Sequence, residues 1–310
     1  MKFYVSTAFL ETSEVVEIAK AADDLGYDGM GIPDHVINLE TLKTPYPYTK
    51  DGKRRWEAFT EWPDPWVMIG AIALVTTRLH FVTTVYLPAM RDPYSAAKSI
   101  GTAAYLAGGR LELGIGVGWC EEEFTLMGQR FDRRGKRTDE MLDLMKALWD
   151  PGWTEFDGEF YSAPRLEMEP TPPHIPIYVG GLSDIALRRA ARNDGWIGDL
   201  ITTDLAIERV DRLREMRAER GLSMDDFTIL TPLTDAFTPE HYEACRGEWH
   251  HRDHHNALDV LHRAAGIARR EDRRHAQVPK GPGARRLDHG RRGRCQHGHD
   301  TGAWSERLRR

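Results

Sequence analysis

Cysteine is scarce in this sequence of 310 residues, and it contains no long apolar run. The three cysteines, Cys120, Cys245 and Cys295, are odd in number and far apart, which argues against a disulfide framework and a zinc site. No stretch of about 18 apolar residues is present, so no membrane-spanning helix is predicted. Residues 1–9 turn acidic too soon for a signal peptide and are predicted to form a first strand. These absences favour a protein of the reducing cytoplasm that holds no metal.

Charge is distributed unevenly along the chain, although the formal net charge is only −6. Residues 1–246 contain 27 Lys and Arg against 40 Asp and Glu. Residues 247–310 contain 15 against 8, together with nine of the thirteen histidines. The sequence therefore predicts a domain over 1–246 and a basic tail, rich in His and Arg, over 247–310.

Short apolar segments alternate with amphipathic helical segments through the first 235 residues. This alternation predicts a parallel sheet with right-handed crossovers, and seven consecutive βα units favour a TIM (β/α)8 barrel over an open sheet. The predicted strands lie at 2–8, 28–32, 79–87, 110–116, 175–180, 195–199 and 227–232, and the helices at about 13–25, 65–76, 93–106, 133–149, 183–193 and 203–220.

Two insertions interrupt the alternation. Residues 36–63, rich in Tyr, Pro, Lys and Trp, follow the second strand, and residues 150–172 have the pattern of a hairpin that ends in prolines. Loops that follow the strands of a barrel lie over its catalytic face, so residues 36–63 are a candidate substrate lid. A plain surface loop is the alternative.

A glycine-rich turn follows the fourth predicted strand. Gly114, Gly116 and Gly118 alternate along the chain, which leaves the main chain open to a flat or anionic ligand. Trp119 occupies the place where the dinucleotide-binding fingerprint requires a third glycine. A tight turn without a ligand explains the segment equally well.

Other candidate groups follow the second and fifth strands. Asp34 and His35 come directly after the second strand, where a barrel collects its reactive side chains, and His35 can act as a general base or as a donor to a bound ring. A loop histidine bonded to its neighbour is the alternative. Gly180, Gly181, Leu182 and Ser183 open a helix and could bind an anion, or Ser183 could be a simple N-cap.

Three further groups of residues are explained by structure, without a catalytic or binding role. The run Glu121–Glu123 is typical of a solvated charge run or of the first turn of a helix. The pair Arg134 and Arg137 is typical of a basic helical face. Thr83–Val85 ends the third strand with β-branched residues of the kind that form a core.

These segments, in this order, resemble the bacterial-luciferase-like superfamily, and within it the branch that uses the deazaflavin coenzyme F420. The resemblance covers about residues 1–240. It rests on Asp34-His35, Thr84-Val85, Gly109–Trp119 with Glu122-Glu123-Phe124, Arg134-x-x-Arg137-x-x-Glu140, and Pro176–Gly181 through Asp194-Gly195-Trp196.

The resemblance implies a barrel with an isoalloxazine-type ring across its C-terminal mouth. The ring would lie over a non-proline cis peptide, which falls here at Thr84–Val85. The turn 114–118 would flank the cofactor, and the turn Gly180–Ser183 would take its phosphate. Asp34 and His35 match the cofactor-side pair, with His35 as the proton-transfer group. Some members that oxidise sugar phosphates have an acidic residue at the place of Trp119, so that substrate class is not expected here.

The tail breaks the alternating pattern where an eighth strand should follow. Residues 249–260 are dominated by His, Asp and Asn, whose codons become Ile, Thr or Met codons when read one base later. The sequence therefore suggests one extra base near Arg246–Gly247 and a frame-shifted, disordered tail that has lost the eighth βα unit. A functional basic tail that binds nucleic acid or membrane is the alternative, but aromatic interleaving and a module pattern are missing.

The sequence thus predicts an F420-dependent oxidoreductase that transfers hydride to or from a small organic substrate. A monooxygenase that uses reduced FMN is the enzymatic alternative, and an inactive flavin-binding barrel fragment is the alternative of another class. A homodimer is possible, and no nucleic-acid or membrane partner is expected.

Overall fold

A computed structural model describes residues 1–236, Thr238, His241 and, as backbone, 258–263. Eight parallel strands form a closed barrel in the described part of the chain. Around the barrel the order is β1, β10, β9, β8, β7, β4, β3, β2. The strands are β1 (Phe3–Ser6), β2 (Gly29–Ile32), β3 (His80–Thr83), β4 (Leu111–Ile115), β7 (Ile177–Gly180), β8 (Gly195–Ile197), β9 (Thr228–Thr231) and β10 (Leu258–Arg263). The predicted barrel and its first seven strands are confirmed.

Helices follow the strands and cover the outside of the barrel. They are α1 (Val15–Leu25), α2 (Pro65–Ala73), α3 (Pro93–Leu106), α4 (Glu121–Leu126), α5 (Arg134–Trp149), α6 (Asp184–Ala190) and α7 (Thr203–Ala218). All the predicted helices are found, whereas α4 was missed because its six residues are too few to show a period. No helix in the described ranges is long and apolar enough to cross a membrane.

The eighth position of the barrel differs from the sequence prediction. No eighth strand was expected after residue 246, yet β10 pairs in parallel with β9 on one side and with β1 on the other. A seven-stranded sheet would leave the backbone donors and acceptors of β1 and β9 unpaired, and β10 satisfies them. The proposed extra base, the tail's disorder and the boundary between 246 and 247 concern residues that otherwise lie outside the described ones, and they stay predictions.

Two apolar layers hold the barrel together. One fills its interior with side chains from alternating positions of the strands, among them Tyr4, Val82, Tyr178, Ile197 and Leu230. The other packs the outward-facing strand residues against the helices. This division follows from the two-residue period of a strand, which sends successive side chains to opposite faces.

The insertion at 150–172 contains a two-stranded antiparallel sheet, β5 (Thr154–Asp157) and β6 (Ser162–Leu166), so the predicted hairpin is confirmed. The carboxylate of Glu140 on α5 accepts hydrogen bonds from the backbone amides of Glu159, Phe160 and Tyr161 in its loop. The hairpin is therefore fixed to the outside of the barrel through α5.

The insertion at 36–63, called the lid from here on, crosses the mouth of the barrel. It leaves the end of β2, and its Arg55 makes a bidentate ion pair with Asp199, which follows β8, at 2.8 and 2.9 Å. In the barrel order β8 lies four strands from β2 in either direction, which is the opposite side. The lid therefore joins two opposite points of the rim.

Breaking this ion pair should loosen the lid. The Arg55 and Asp199 side chains are 22% and 25% exposed, so the pair is partly shielded from solvent and is expected to contribute about 1–2 kcal/mol. We expect Arg55→Met to raise the rate of chymotryptic cleavage within 36–63 by roughly 5- to 30-fold under native conditions.

The control for this measurement is Arg133→Met, which removes an exposed ion pair with Glu159 of the hairpin, outside the lid. Cleavage of the lid should be unchanged in that variant. Equal cleavage rates in Arg55→Met and the unmodified protein would show that the ion pair does not hold the lid.

Candidate active site at the barrel mouth

Asp34 is a buried carboxylate that fixes the spacing between the ends of β2 and β3. It accepts two hydrogen bonds of 2.6 Å from the guanidinium of Arg91 and one of 3.1 Å from the amide of Leu87. Burial raises the pKa of Asp34, and the Arg91 guanidinium opposes that rise. Protein donors therefore engage both oxygens. A contact between Asp34 and a cofactor stays a prediction.

His35 is oriented by Glu123, which lies at the start of α4. Its Nδ1 lies 3.2 Å from Oε2 of Glu123, whose side chain is 2% exposed. The same carboxylate accepts hydrogen bonds from the amides of Val36 and Ile37, at 3.0 and 3.4 Å. Burial works to raise the pKa of Glu123, but the hydrogen bond and charge of His35 and the two amides outweigh it, so that pKa is lowered.

This geometry assigns the proton on the imidazole of His35. An ionised carboxylate can only accept, so Nδ1 must carry the hydrogen that lies between the two groups. Nε2 is then the nitrogen that remains to take up or release a proton. A carboxylate that holds a histidine in one tautomer is a common device for general acid–base catalysis.

Glu121–Glu123 form the first turn of α4, which confirms one of the two interpretations, but the other, a solvated charge run, is wrong for Glu123. Glu123 is buried beside His35, and Glu122 accepts hydrogen bonds of 2.6 and 3.0 Å from the amides of Lys43 and Thr44 in the lid. Desolvation works to raise the pKa of Glu122, but these amides outweigh it and lower the pKa to about 2. Composition gave no hint of this, because only the fold brings the lid over α4.

The interpretation of Arg134 and Arg137 as a basic helical face is also wrong. Nε of Arg134 donates to the carbonyl of Gly118 at 2.9 Å. Arg137 is buried and donates to the carbonyl of Ala89 at 3.1 Å and to that of Arg130. Both guanidiniums therefore brace the segments that follow β3 and β4.

The side chain of Val85 accounts for the glycines at the ends of β4 and β7. The Thr84–Val85 peptide is cis, as the resemblance implied. A Cβ on Gly116 would lie 2.7 Å from Cγ2 of Val85, and one on Gly180 would lie 2.9 Å from its Cγ1. The side chain of Val85 thus occupies the space that these two glycines leave.

The other two glycines of the turn are confined by protein atoms as well. A Cβ on Gly114 would lie 1.9 Å from the carbonyl oxygen of Thr83. Gly118 has a φ of +78°, and a Cβ there would lie 2.5 Å from the ring of Phe124. Packing within the protein therefore accounts for glycine at these positions, and their contact with a cofactor stays a prediction.

In the turn Gly180–Ser183, Ser183 is the N-cap of α6, which was one of the two interpretations of this segment. Oγ of Ser183 accepts a 3.3 Å hydrogen bond from the amide of Ala186 and so caps α6. The amide of Gly181 donates to the carbonyl of Ile197, and its own carbonyl accepts from the indole of Trp196. Leu182 packs against the core. Phosphate binding by this turn stays a prediction.

Three indole rings contact His35 and a tyrosine packs against two of them, and the sequence did not identify these four side chains as a group. Three belong to the lid and the fourth is Trp119; together, Tyr46, Trp56, Trp62 and Trp119 are called the aromatic cluster. The ring centroids of Trp56, Trp62 and Trp119 lie 4.8, 4.9 and 6.4 Å from that of His35. Tyr46 contacts Trp56 and Trp119 edge to face.

One buried polar atom of the aromatic cluster lacks a hydrogen-bond partner among the described residues. It is the indole Nε1 of Trp62. That of Trp56, by contrast, donates to the side chain of Asn38. A buried donor without a partner is uncommon in folded proteins and calls for an acceptor.

Glu123→Gln should weaken both stability and the orientation of His35. We expect a loss of about 1–3 kcal/mol at pH 7, since the amide keeps an acceptor for the backbone but loses the charge-assisted bond. The folded-state pKa of Glu123 is lowered, so its stabilisation is complete above the unfolded value of about 4.3 and is lost as the pH falls further. The difference between variant and parent should therefore shrink below about pH 4.

Guanidinium denaturation at several pH values measures this difference, and the ¹⁵N shifts of His35 report which nitrogen carries the proton. Glu121→Gln is the matched control, because Glu121 lies in the same turn but is exposed. Equal stability of the two variants, or an Nδ1 of His35 without a proton in the parent, would contradict the assignment.

Gly116→Ala should overpack the mouth against Val85. We expect a loss of about 1–3 kcal/mol of unfolding free energy, and less than half of that loss in a Val85→Ala background, where the new methyl group has room. Gly70→Ala is the control, because its Cβ would meet only Leu106 at 3.9 Å within a helix. A loss that is unchanged in the Val85→Ala background would show that Val85 does not confine Gly116.

Comparison with known proteins places these observations in a family. The family model of the luciferase-like monooxygenases matches residues 4–308. An uncharacterised protein of Mycobacterium tuberculosis is 39% identical over 239 residues, which cover 74% of this chain and 83% of that protein. An F420-dependent glucose-6-phosphate dehydrogenase of Gordonia bronchialis is 29% identical over 202 residues, which cover 63% of this chain and 55% of that enzyme.

The fold comparison agrees with the sequence comparison. The oxygenating constituent of 3,6-diketocamphane monooxygenase from Pseudomonas putida, solved in complex with FMN, superposes with a TM-score of 0.59 at 19% identity. The match covers 75% of this chain and 67% of that one. The relatives thus include an F420-dependent and an FMNH2-dependent enzyme, and the structural neighbours include a monooxygenase in complex with FMN. With its closed barrel and a family match over residues 4–308, this protein belongs to the luciferase-like monooxygenase family.

Proposed function

We propose that this protein is an oxidoreductase that binds coenzyme F420 at the mouth of the barrel and serves hydride transfer to or from a small organic substrate. The observation that carries the proposal is the pair of His35 and Glu123 at that mouth. Glu123 holds Nδ1, and Nε2 remains for proton transfer. When bound, the deazaflavin supplies the hydride chemistry.

The residues at the mouth fit a planar ring with polar edges. The aromatic cluster offers apolar faces, while Nε2 of His35 and the buried indole N–H of Trp62 are polar groups that the described residues do not use. The cofactor would be held by the ends of several strands. The residues proposed for this role are Asp34, Thr84, Val85, Gly114, Gly116, Gly118, Gly180, Gly181, Leu182 and Ser183.

The chain's own contribution is to orient groups, exclude water and move one proton. Asp34 and Arg91 fix the segment that carries Thr84 and Val85, through a pair that is largely buried. The lid and its ion pair to Asp199 shield the mouth from solvent, which strengthens electrostatic interactions inside it. His35, held by Glu123, exchanges a proton with the substrate at Nε2.

A second candidate function is a monooxygenase that uses reduced FMN, which the match to the FMN-bound Pseudomonas putida protein favours. An FMNH2-dependent dimethylsulfone monooxygenase of Pseudomonas putida is also 29% identical, over 161 residues. The F420-dependent relative from Gordonia bronchialis has the same identity over a longer stretch of 202 residues. A sugar phosphate is not the proposed substrate, because Trp119 stands where some members of the family that oxidise sugar phosphates have an acidic residue.

A homodimer is also proposed, with the outer face of α2 as its contact surface. Val67 and Leu74 on this face are 75% and 71% exposed, and Tyr105 of α3 is 58% exposed. Helix α2 is apolar on all sides, which is typical of a helix that is buried on both faces. A second copy of the chain that packs against this face would bury these exposed side chains.

Titration of the full chain with each cofactor tests the proposed function. We expect F420 to quench tryptophan fluorescence with a dissociation constant at least tenfold below that of FMN. The phosphate-free deazaflavin should bind at least tenfold more weakly than F420, because it lacks the anion proposed for the turn Gly180–Ser183.

The outcomes separate the candidates. Tighter binding of FMN would favour the monooxygenase, and binding of neither cofactor would favour an inactive barrel. Equal binding of F420 and the phosphate-free deazaflavin would remove the phosphate role from Gly180–Ser183 and leave Ser183 as an N-cap. Repeating the titration on a chain with the reading frame restored from residue 247 measures what the tail changes.

A further inference from the structure

The lid carries an arginine whose charge no acid among the described residues neutralises. We propose that this residue, Arg54, binds a carboxylate of the substrate, at the end of the molecule that lies away from His35. The substrate would then be an organic acid whose carboxylate and reacting carbon are about the width of an indole ring apart. This inference rests on the proposed function, since it concerns the substrate of the same site.

The guanidinium of Arg54 has unused donors along one edge. Its Nη1 donates to the side-chain oxygen of Asn38 and, at 2.7 Å, to the carbonyl of Leu39, which uses both hydrogens of that nitrogen. The N–H groups of Nε and Nη2 have no acceptor among the described residues. A carboxylate binds such an edge through both of its oxygens, in the planar arrangement that arginine favours.

Two other arginines at the mouth show how a guanidinium there is neutralised when an acid is at hand. Arg55, the next residue of the lid, binds both carboxylate oxygens of Asp199. Arg91 binds both oxygens of Asp34 in the same way. Arg54, by contrast, is half-buried and has only neutral partners in the described part of the chain. Its charge is therefore available to a ligand.

The partners of Arg54 connect it to the crevice beside His35. Asn38, Leu39 and Trp56 all line that crevice. The indole Nε1 of Trp56 donates to the same Asn38 oxygen as Arg54, at 3.4 Å, and the ring centroid of Trp56 lies 4.8 Å from that of His35. A flat molecule that lies along this indole would therefore have one end near the guanidinium and the other near the imidazole.

The charge of the lid also favours an anion. Residues 36–63 contain five Lys and Arg against four Asp and Glu, within a domain over 1–246 that has 27 against 40. The acid nearest to His35 is Glu123, and its oxygens already accept from that imidazole and from the amides of Val36 and Ile37. A carboxylate that approaches Arg54 thus meets a locally basic segment, which assists its binding.

Binding of three probes with one scaffold and different charges to the full chain tests this inference. They are 4-acetylbenzoate, 4-acetylbenzamide and (4-acetylphenyl)trimethylammonium, measured by calorimetry in the presence of whichever of F420 and FMN binds more tightly. We expect the carboxylate to bind at least roughly tenfold more tightly than the amide or the cation, because a charge-assisted pair is stronger than a neutral hydrogen bond.

Variants of the lid then assign this preference to one side chain. Arg54→Met keeps the length of the side chain but removes its charge, so the dissociation constant of the carboxylate should rise roughly 5- to 30-fold and that of the amide less than about twofold. Arg54→Lys keeps the charge without the planar edge and should lie between the two. The matched control is Lys53→Met, which removes the exposed neighbouring charge and should leave both constants unchanged.

The outcomes separate binding of a substrate from the other roles of Arg54. A carboxylate that binds no more tightly than the amide, or equal losses for both probes in Arg54→Met, would overturn the inference, and equal losses would leave Arg54 a structural role in the lid. F420 has carboxylates of its own. If Arg54→Met weakened F420 but neither the phosphate-free deazaflavin nor the probe, the carboxylate would belong to the cofactor and the substrate assignment would be wrong.

The cofactor titration on the same protein keeps this inference apart from the proposed function. If a cofactor binds while the probe results fail, only the inference about Arg54 is lost.

Discussion

The buried carboxylate of Glu123 is the group on which the mouth of the barrel depends. An ionised carboxylate that is removed from water must be surrounded by donors, and here the donors come from the chain just after β2. By collecting them, Glu123 fixes where the lid begins and which nitrogen of His35 faces the site. Its neighbour Glu122 likewise accepts hydrogen bonds from two backbone amides further along the lid. Two adjacent acids of α4 thus set the course of a segment that has little regular secondary structure of its own.

Val85 plays a comparable part on the other side of the mouth. Its side chain lies between Gly116 and Gly180, so three strand ends meet around one small branched residue. This explains why glycines recur where β4 and β7 end, and it separates their structural role from any role in binding. The same packing joins the cis peptide to the interior of the barrel, since Val85 contacts the apolar cluster that fills it.

The fold was largely predictable from the sequence, because its signals are local. Each strand is a short apolar run and most of the helices are amphipathic, so local patterns located seven strands and six helices to within a few residues. The strand Leu258–Arg263 was missed because a His-rich stretch precedes it and its own sequence, Leu-Asp-Val-Leu-His-Arg, does not alternate regularly between apolar and polar residues.

The candidate site was less predictable, because it depends on contacts between distant segments. Asp34 and His35 were identified from their place after a strand, but their partners Arg91 and Glu123 lie 57 and 88 residues further along the chain. The sequence contained Glu123 within a recognisable motif and still gave no reason to place it beside an imidazole. The aromatic cluster could not be predicted for the same reason, since Trp119 and the lid are far apart in sequence and meet only in the folded protein.

The ion pair between Arg55 and Asp199 has a consequence for the order in which the protein folds. The two residues are 144 positions apart, and the second follows a strand on the opposite side of the barrel. Closing so long a loop costs conformational entropy that is recovered only once the intervening strands have paired. The ion pair that anchors the lid can therefore form only after the sheet has paired as far as β8, so the lid closes later than the strands between its two anchor points.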